Sequence, residues 1–254
     1  MPFTLLGSLL RGTDWSQVTE YLSPVFFQVV PPLAMAGQVG TLSADFVNKH
    51  KFAKLCGDLG PALALAHLPA PIPPGGNASA PAGSLDQSAA KARGNLLLKL
   101  YFWQLLKAPT VILDLRQAAF STASGPSDKT VWQPQPLFIT YEPAFLGGLR
   151  DLYLGFYLDD MARFDRALAA LELRHAKQLF LTHFGEGQSH QRFELAEFRS
   201  TFHRVFLACK EGKSRIHPNF LGVGAGLFCL YEHLEKLGGD YDVRAAFAAA
   251  NGAA

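Results

Sequence analysis

The chain is short of cysteine and of charge. Its three cysteines, Cys56, Cys209 and Cys229, form no Cys-x-x-Cys pair. No two are close in sequence, which makes zinc ligation by them a minor reading. An odd number of thiols in apolar surroundings predicts burial in a reducing compartment, so an intracellular chain, cytoplasmic or at the membrane periphery, is expected. Charged residues make up 17% of the 254, and the formal net charge is +2. No Lys/Arg cluster is interleaved with stacking aromatics, so nucleic acid is not expected as a partner. Gly-x-Ser-x-Gly and Walker-type loops are missing. Gly222-x-Gly224-x-Gly226 lacks the strand–turn–helix setting of a dinucleotide fingerprint and reads as small residues for close helix packing.

Apolar and aromatic residues are plentiful: 49% of the chain is hydrophobic and 20 residues are Phe. That supports one large domain or two small ones. The organising stretch is Leu96–Leu173. Asn95–Leu106 reads as a helix buried on most sides, interrupted only by Lys99 and Gln104, and Pro109 ends it. Val111–Arg116 alternates Leu113/Asp114/Leu115/Arg116, which predicts a strand with one wet face. Ser121–Thr130, with Gly125-Pro126, reads as a polar turn, and Pro136–Tyr141 as the partner strand. Phe145, Leu146, Leu149, Leu152, Tyr153, Phe156 and Tyr157 recur at three- and four-residue steps, one face of a helix over Pro143–Leu158. Asp160 can cap a second helix carrying Met161, Phe164, Ala167, Leu168 and Leu171.

Before that stretch, Phe3–Leu10 lacks the basic start and small-residue cleavage site of a signal peptide, and Asp14 can cap a helix to Leu22. Tyr21–Ala44 carries no charged residue. Pro24, Pro31-Pro32, Gln28 and Gln38 interrupt it, so it reads as a buried helix, or a segment lying on a membrane or partner, rather than a span. Ser43 is placed as the cap of a helix through Cys56, ended by Gly57 and Gly60, and Pro61 as the start of a short helix to His67. Residues 69–94 hold five prolines and four glycines and read as an extended linker. It divides an N-terminal helical segment, 1–68, from a main helical domain, 95–254. Beyond Leu171, helices are expected over Leu173–Phe184, Phe193–Lys210, Asn219–Leu237 and Val243–Ala250. The expected fold is mainly α, a helical bundle-like body with one small β-hairpin.

Four groups of polar residues could carry chemistry. Glu172 and His175 have the Glu-x-x-His spacing of carboxylate-bridged metal sites, and His183 lies eight residues beyond His175 on the same helical face. The competing reading is ordinary surface or helix-terminal histidines. Glu232-His233 has the wrong spacing for such a site. Asp159, Asp160 and Asp165 could meet a divalent ion or serve as caps and helix-face charges. Asp114, beside Arg116 among apolar neighbours, is the candidate catalytic carboxylate. Its bland alternative is a half-exposed strand residue paired with a cation. No cofactor is implied by any of them.

The order of elements resembles the C-terminal lobe of the AarF/ABC1 (UbiB-like) atypical kinase family. Helix Leu96–Leu106 precedes Ile112-Leu113-Asp114-Leu115-Arg116-Gln117-Ala118-Ala119-Phe120, where the family has His-Ala-Asp-x-His-Pro-Gly-Asn. Phe145–Tyr153, Asp159/Asp160 and Ala167–Leu171 resemble its helices after Asp-Phe-Gly. His217-Pro218-Asn219-Phe220 and Leu230–Leu237 resemble its last long helix, and Gly37-Gln38 resembles part of its Lys-x-Gly-Gln signature. The resemblance implies a degenerate, pseudokinase-like C-lobe. Ala119 stands where the metal-binding Asn would be, Thr140-Tyr141-Glu142 where Asp-Phe-Gly would be, and Met35 in place of the signature lysine. The nucleotide-covering lobe has no counterpart. Phosphoryl transfer needs metal ions and a cation to neutralise developing charge.

The function expected first is therefore that of a non-catalytic accessory protein. It would bind a protein partner, an isoprenoid-like apolar small molecule or, through residues 21–44, a membrane surface. A structural subunit of a larger assembly comes second. A divergent ABC1-like phosphotransferase using Asp114, or a metal-dependent enzyme using Glu172, His175 and His183, comes third.

Overall fold

Apolar stripes at helical spacing dominate the sequence, and the computed structural model, which describes residues 25–75, 85–123 and 129–252, turns them into helices. The fold is mainly α, with two small antiparallel ribbons. In chain order the helices are α1 (Phe26–Val29), α2 (Pro32–Val47), α3 (Lys49–Leu65) and α4 (Gln87–Lys107). Strands β1 (Thr110–Ile112), β2 (Phe120–Ala123), β3 (Lys129–Trp132) and β4 (Phe138–Thr140) follow. Then come α5 (Pro143–Tyr157), α6 (Met161–Ala170), α7 (Lys177–His183), α8 (Leu195–Glu211), α9 (Phe220–Leu237) and α10 (Val243–Asn251). Single 3-10 turns lie at Gln117–Ala119 and Arg174–Ala176. No described helix is long and apolar enough to cross a membrane.

The expected ribbon exists: β1 pairs with β4, Thr110 opposite Thr140 and Ile112 opposite Phe138. A second ribbon was not expected. β2 and β3 pair with Phe120 opposite Trp132 and Ser121 opposite Val131, so the ribbon overlaps both ends of the stretch read as a polar turn. Three further boundaries move. Helix α2 runs through Ser43, and the break falls at Asn48, whose side chain accepts from Lys51 N at 2.9 Å and caps α3. Pro61 lies inside α3 instead of starting a new helix. Helix α4 starts at Gln87, capped by Asp86 accepting from Ala89 N at 2.8 Å, so it takes eight residues from the expected linker. The helix expected from Asp14 lies outside the described residues.

The chain forms two compact units, neither continuous in sequence. One holds the described residues up to Ser43, with Tyr141–Ser189 and Leu195–Phe228. Its centre is the α5–α6 hairpin, where Asp160 accepts from Arg163 N at 2.9 Å as the expected cap. A Cβ on Gly155 would come within 2.5 Å of Phe164 N, so this glycine is what lets the two helices touch. Phe156, Tyr157, Phe164 and Phe184 gather there with ring centroids 5.0–6.3 Å apart, the spacing at which edge-to-face and tilted pairs attract.

The other unit holds Ala44–Thr140, His190–Glu194 and Cys229–Ala254. Helix α10 packs along α4, with Phe247 meeting Phe102 edge-on at 5.3 Å. The close approach in this unit is at Gly94, where a Cβ would lie 2.1 Å from the Tyr241 ring. Gly224, expected to serve helix contact, is not a tight position: a Cβ there meets Phe202 only at 3.9 Å. All three cysteines are buried and free. Burial pushes the Cys56 and Cys209 thiols up to about 11, which makes them inert.

Candidate functional site

The loop after β1 decides what Asp114 can do. Leu113 still donates to Leu137 O at 2.9 Å, but Leu115 N turns back onto Leu113 O at 3.0 Å. The chain therefore bends sharply at Asp114 instead of continuing as a strand. The expected wet face is absent: Asp114 is 1% exposed and Arg116 6%. Two charges this deep are tolerated only when paired and hydrogen-bonded. Arg116 donates Nε to Asp114 Oδ1 at 2.8 Å and Nη2 to Oδ2 at 3.2 Å. Gln135 N donates to Oδ2 at 2.9 Å, and Trp132 Nε1 donates to the Asp114 carbonyl at 3.0 Å. The carboxylate thus ties the loop to the approach to β4, and the carbonyl of the same residue ties it to β3.

Helix α9 closes this loop with a residue pair that spacing alone had set aside. Glu232 accepts from Gln117 N at 3.1 Å, at the start of the 3-10 turn, and from Lys236 Nζ. His233, wholly buried, bonds through Nδ1 to the Leu115 carbonyl at 2.9 Å, so Nδ1 carries the proton. Its ring lies 5.1 Å from that of Phe120. Burial is the main cause that pushes the imidazole down to about 4; the Leu115 bond opposes this, and nearby Arg93 and Lys236 add to it. His233 is neutral at pH 7. Buried Arg93 completes the cluster, donating to Thr122 Oγ1 at 3.2 Å and lying 5.9 Å over the Phe120 ring.

Gln104 was read as an interruption of the apolar face of α4. It is fully buried, and its amide accepts from Ile112 N at 2.8 Å while donating to Ile112 O at 3.3 Å. It occupies the side of β1 away from β4. A lone amide in an apolar helix, eight residues before a strand, is the signal that could have found it.

The Glu172/His175/His183 group does not assemble as expected. Helix α6 ends in a Schellman-type turn: Glu172 is left-handed with φ 59°, and Leu173 N bonds to Leu168 O at 2.7 Å. Leu173–Phe184 is therefore not one helix, and the shared helical face is lost. Glu172 is exposed and accepts from Arg215 N at 3.2 Å. His175 sits on the 3-10 turn. His183 is half-buried at the end of α7, its ring 5.9 Å from Phe202, and burial pushes it down to about 4. Among the described residues, no group of three His, Cys, Asp or Glu is arranged to hold a metal ion. Asp160 is spent as a helix cap and Asp165 pairs with Lys177 at 2.6 Å.

His217 and Glu142 meet in a way the sequence did not suggest. His217 Nε2 lies 2.9 Å from Glu142 Oε2, and Nδ1 accepts from Asn219 N at 3.2 Å. Both ring nitrogens are engaged, and the ring stacks on Phe145 at 4.8 Å. That fixes the starts of α5 and α9 and leaves no nitrogen for a substrate. Beside His183, a slot of about 10 Å³ is lined by Phe180, Phe202, Phe206 and Phe220, room for roughly one water molecule. No protein-family model matches the chain and no curated protein matches it, so the likeness to the atypical kinases rests on the residues quoted for it alone.

Proposed function

We propose that this protein is a non-catalytic, helix-rich accessory protein that works by binding a protein partner. The observation that carries this reading is the engagement of Asp114. A catalytic aspartate must be free to accept a substrate proton or to hold a metal. Here its oxygens accept from Arg116 and Gln135, and the residue is 1% exposed. The resemblance to a kinase C-lobe then describes a scaffold whose one retained carboxylate has a structural duty.

The binding surface we favour is the outer face of α2. Leu33 is 90% exposed, and Gly37, Gly40 and Thr41 continue the same uncharged face. Met35, Val39 and Leu42 anchor the opposite face. A Cβ on Gly37 or Gly40 would meet nothing within 4 Å, so a partner backbone could come close there. An isoprenoid-like ligand is less well supported, since the slot beside His183 is too small for one without opening.

Two measurements test this. Incubated with labelled ATP and Mg²⁺, the protein should transfer no phosphate to itself or to an added protein; transfer that is lost in Asp114→Asn would overturn the non-catalytic reading. Association with a partner protein should be lost in Leu33→Asp while the fold is kept. Association with neutral vesicles alone would move the target to a membrane surface.

A further inference from the structure

A second surface carries charge instead of small apolar residues. The Schellman turn at Glu172 folds the chain back so that the 3-10 turn and α7 lie beside α6. Between them runs a groove of about 480 Å³, lined by Asp165, Arg166, Leu168, Ala169, Arg174 and Lys177. That volume is in the range of small-molecule sites. Three cations face one carboxylate. Lys177 is held by Asp165 at 2.6 Å. Arg166 and Arg174 are exposed, and neither guanidinium has an acidic partner among the described residues. The excess of two positive charges equals the formal net charge of the whole chain.

We infer that this groove binds the phosphate group of a small ligand. Guanidinium presents parallel N–H donors that match the oxygens of phosphate, and a phosphate needs at least two positive charges to be neutralised. Arg166 and Arg174 supply the free forks. Lys177, oriented by Asp165, adds a third donor, and buried Leu168 with Ala169 gives the ligand an apolar floor. Asp165 opposes an anion and so sets the affinity. This inference does not depend on the partner-binding reading, since it uses none of the residues of α2.

The experiment is calorimetric titration of the full chain with inorganic pyrophosphate at low salt, beside the Arg166→Gln/Arg174→Gln double variant and Asp165→Asn. Saturable binding is expected, weaker by about tenfold or more in the double variant, as loss of two charge-assisted contacts predicts. Asp165→Asn should bind more tightly. Raising the salt should weaken binding, because the groove is open to solvent. Sedimentation with vesicles containing phosphatidic acid, with and without pyrophosphate, separates the sources. Pyrophosphate-sensitive vesicle binding places the phosphate on a lipid, and binding of free pyrophosphate alone places it on a soluble molecule. Both arginines are on the surface, so circular dichroism should show the variants folded. Absence of binding in both assays, or equal binding by the double variant, overturns the inference.

Discussion

Two of the aspartate ion pairs, Asp114–Arg116 and Asp165–Lys177, have nearly the same length, 2.8 and 2.6 Å. Their surroundings differ completely. The first pair's side chains are 1% and 7% exposed, the second pair's 52% and 42%. The first also receives backbone N–H groups from the loops it joins, whereas the second lines an open groove. Distance therefore says little about what a pair is worth. Removing one partner of a buried pair strands the other in a medium that cannot solvate it, but removing one partner of an exposed pair merely hands the other to water.

The sharpest test of that contrast is Asp114→Ala. It takes the buried carboxylate away from Arg116 and Gln135 N, and a loss of about 3–5 kcal/mol is expected in urea denaturation. A loss below about 1 kcal/mol would mean that the loop rearranges and that Asp114 is not its fastener.

The next effect is set by pH. His233 has its pKa lowered in the folded chain from 6.5 to about 4, chiefly by burial. Between these values the unfolded chain takes up a proton that the folded chain refuses. The contribution is complete above pH 6.5 and falls away as the pH drops toward 4, by about 3 kcal/mol in all. His183, shifted the same way, steepens the loss. Denaturation midpoints measured across that window should fall, and His233→Gln, which keeps a donor, should flatten the slope. A slope that is unchanged would show that the ring is solvated in the native state.

The smallest effect belongs to the exposed pair. Lys177→Ala should cost no more than about 0.5 kcal/mol, read from the same denaturation curves. A loss equal to that of Asp114→Ala would erase the distinction between the two sites.

Much of the helical framework could be read from the sequence because the signals were local. Pro143 and the apolar steps through Tyr157 mark α5, and Asp160 marks the start of α6. One helix break was harder. Glu172 holds a left-handed turn with φ 59°, a position that usually displays glycine. No side chain there announces the stop, so α7 was merged with the turn before it. The second ribbon was hidden because Ser121, Thr122 and Thr130 resemble loop residues; only its pairing makes them strand. The first turns of α4 were lost in a stretch rich in proline and glycine. Asp114 was located in the sequence as a residue but not as a role. Alternation predicts which side of a strand is wet, and it fails where the chain stops being a strand at Ile112. Glu232 and His233 could not be linked to that loop, since their partners Gln117 and Leu115 lie more than a hundred positions away.

Gln104 has one more consequence. A short strand at the rim of a ribbon normally leaves its outward peptide groups available to any passing chain, which is how sheets recruit neighbours and grow into aggregates. Here the carboxamide of Gln104 pairs with both outward groups of Ile112, so a helix side chain plays the part of the missing adjacent strand and the ribbon is sealed against extension at that residue.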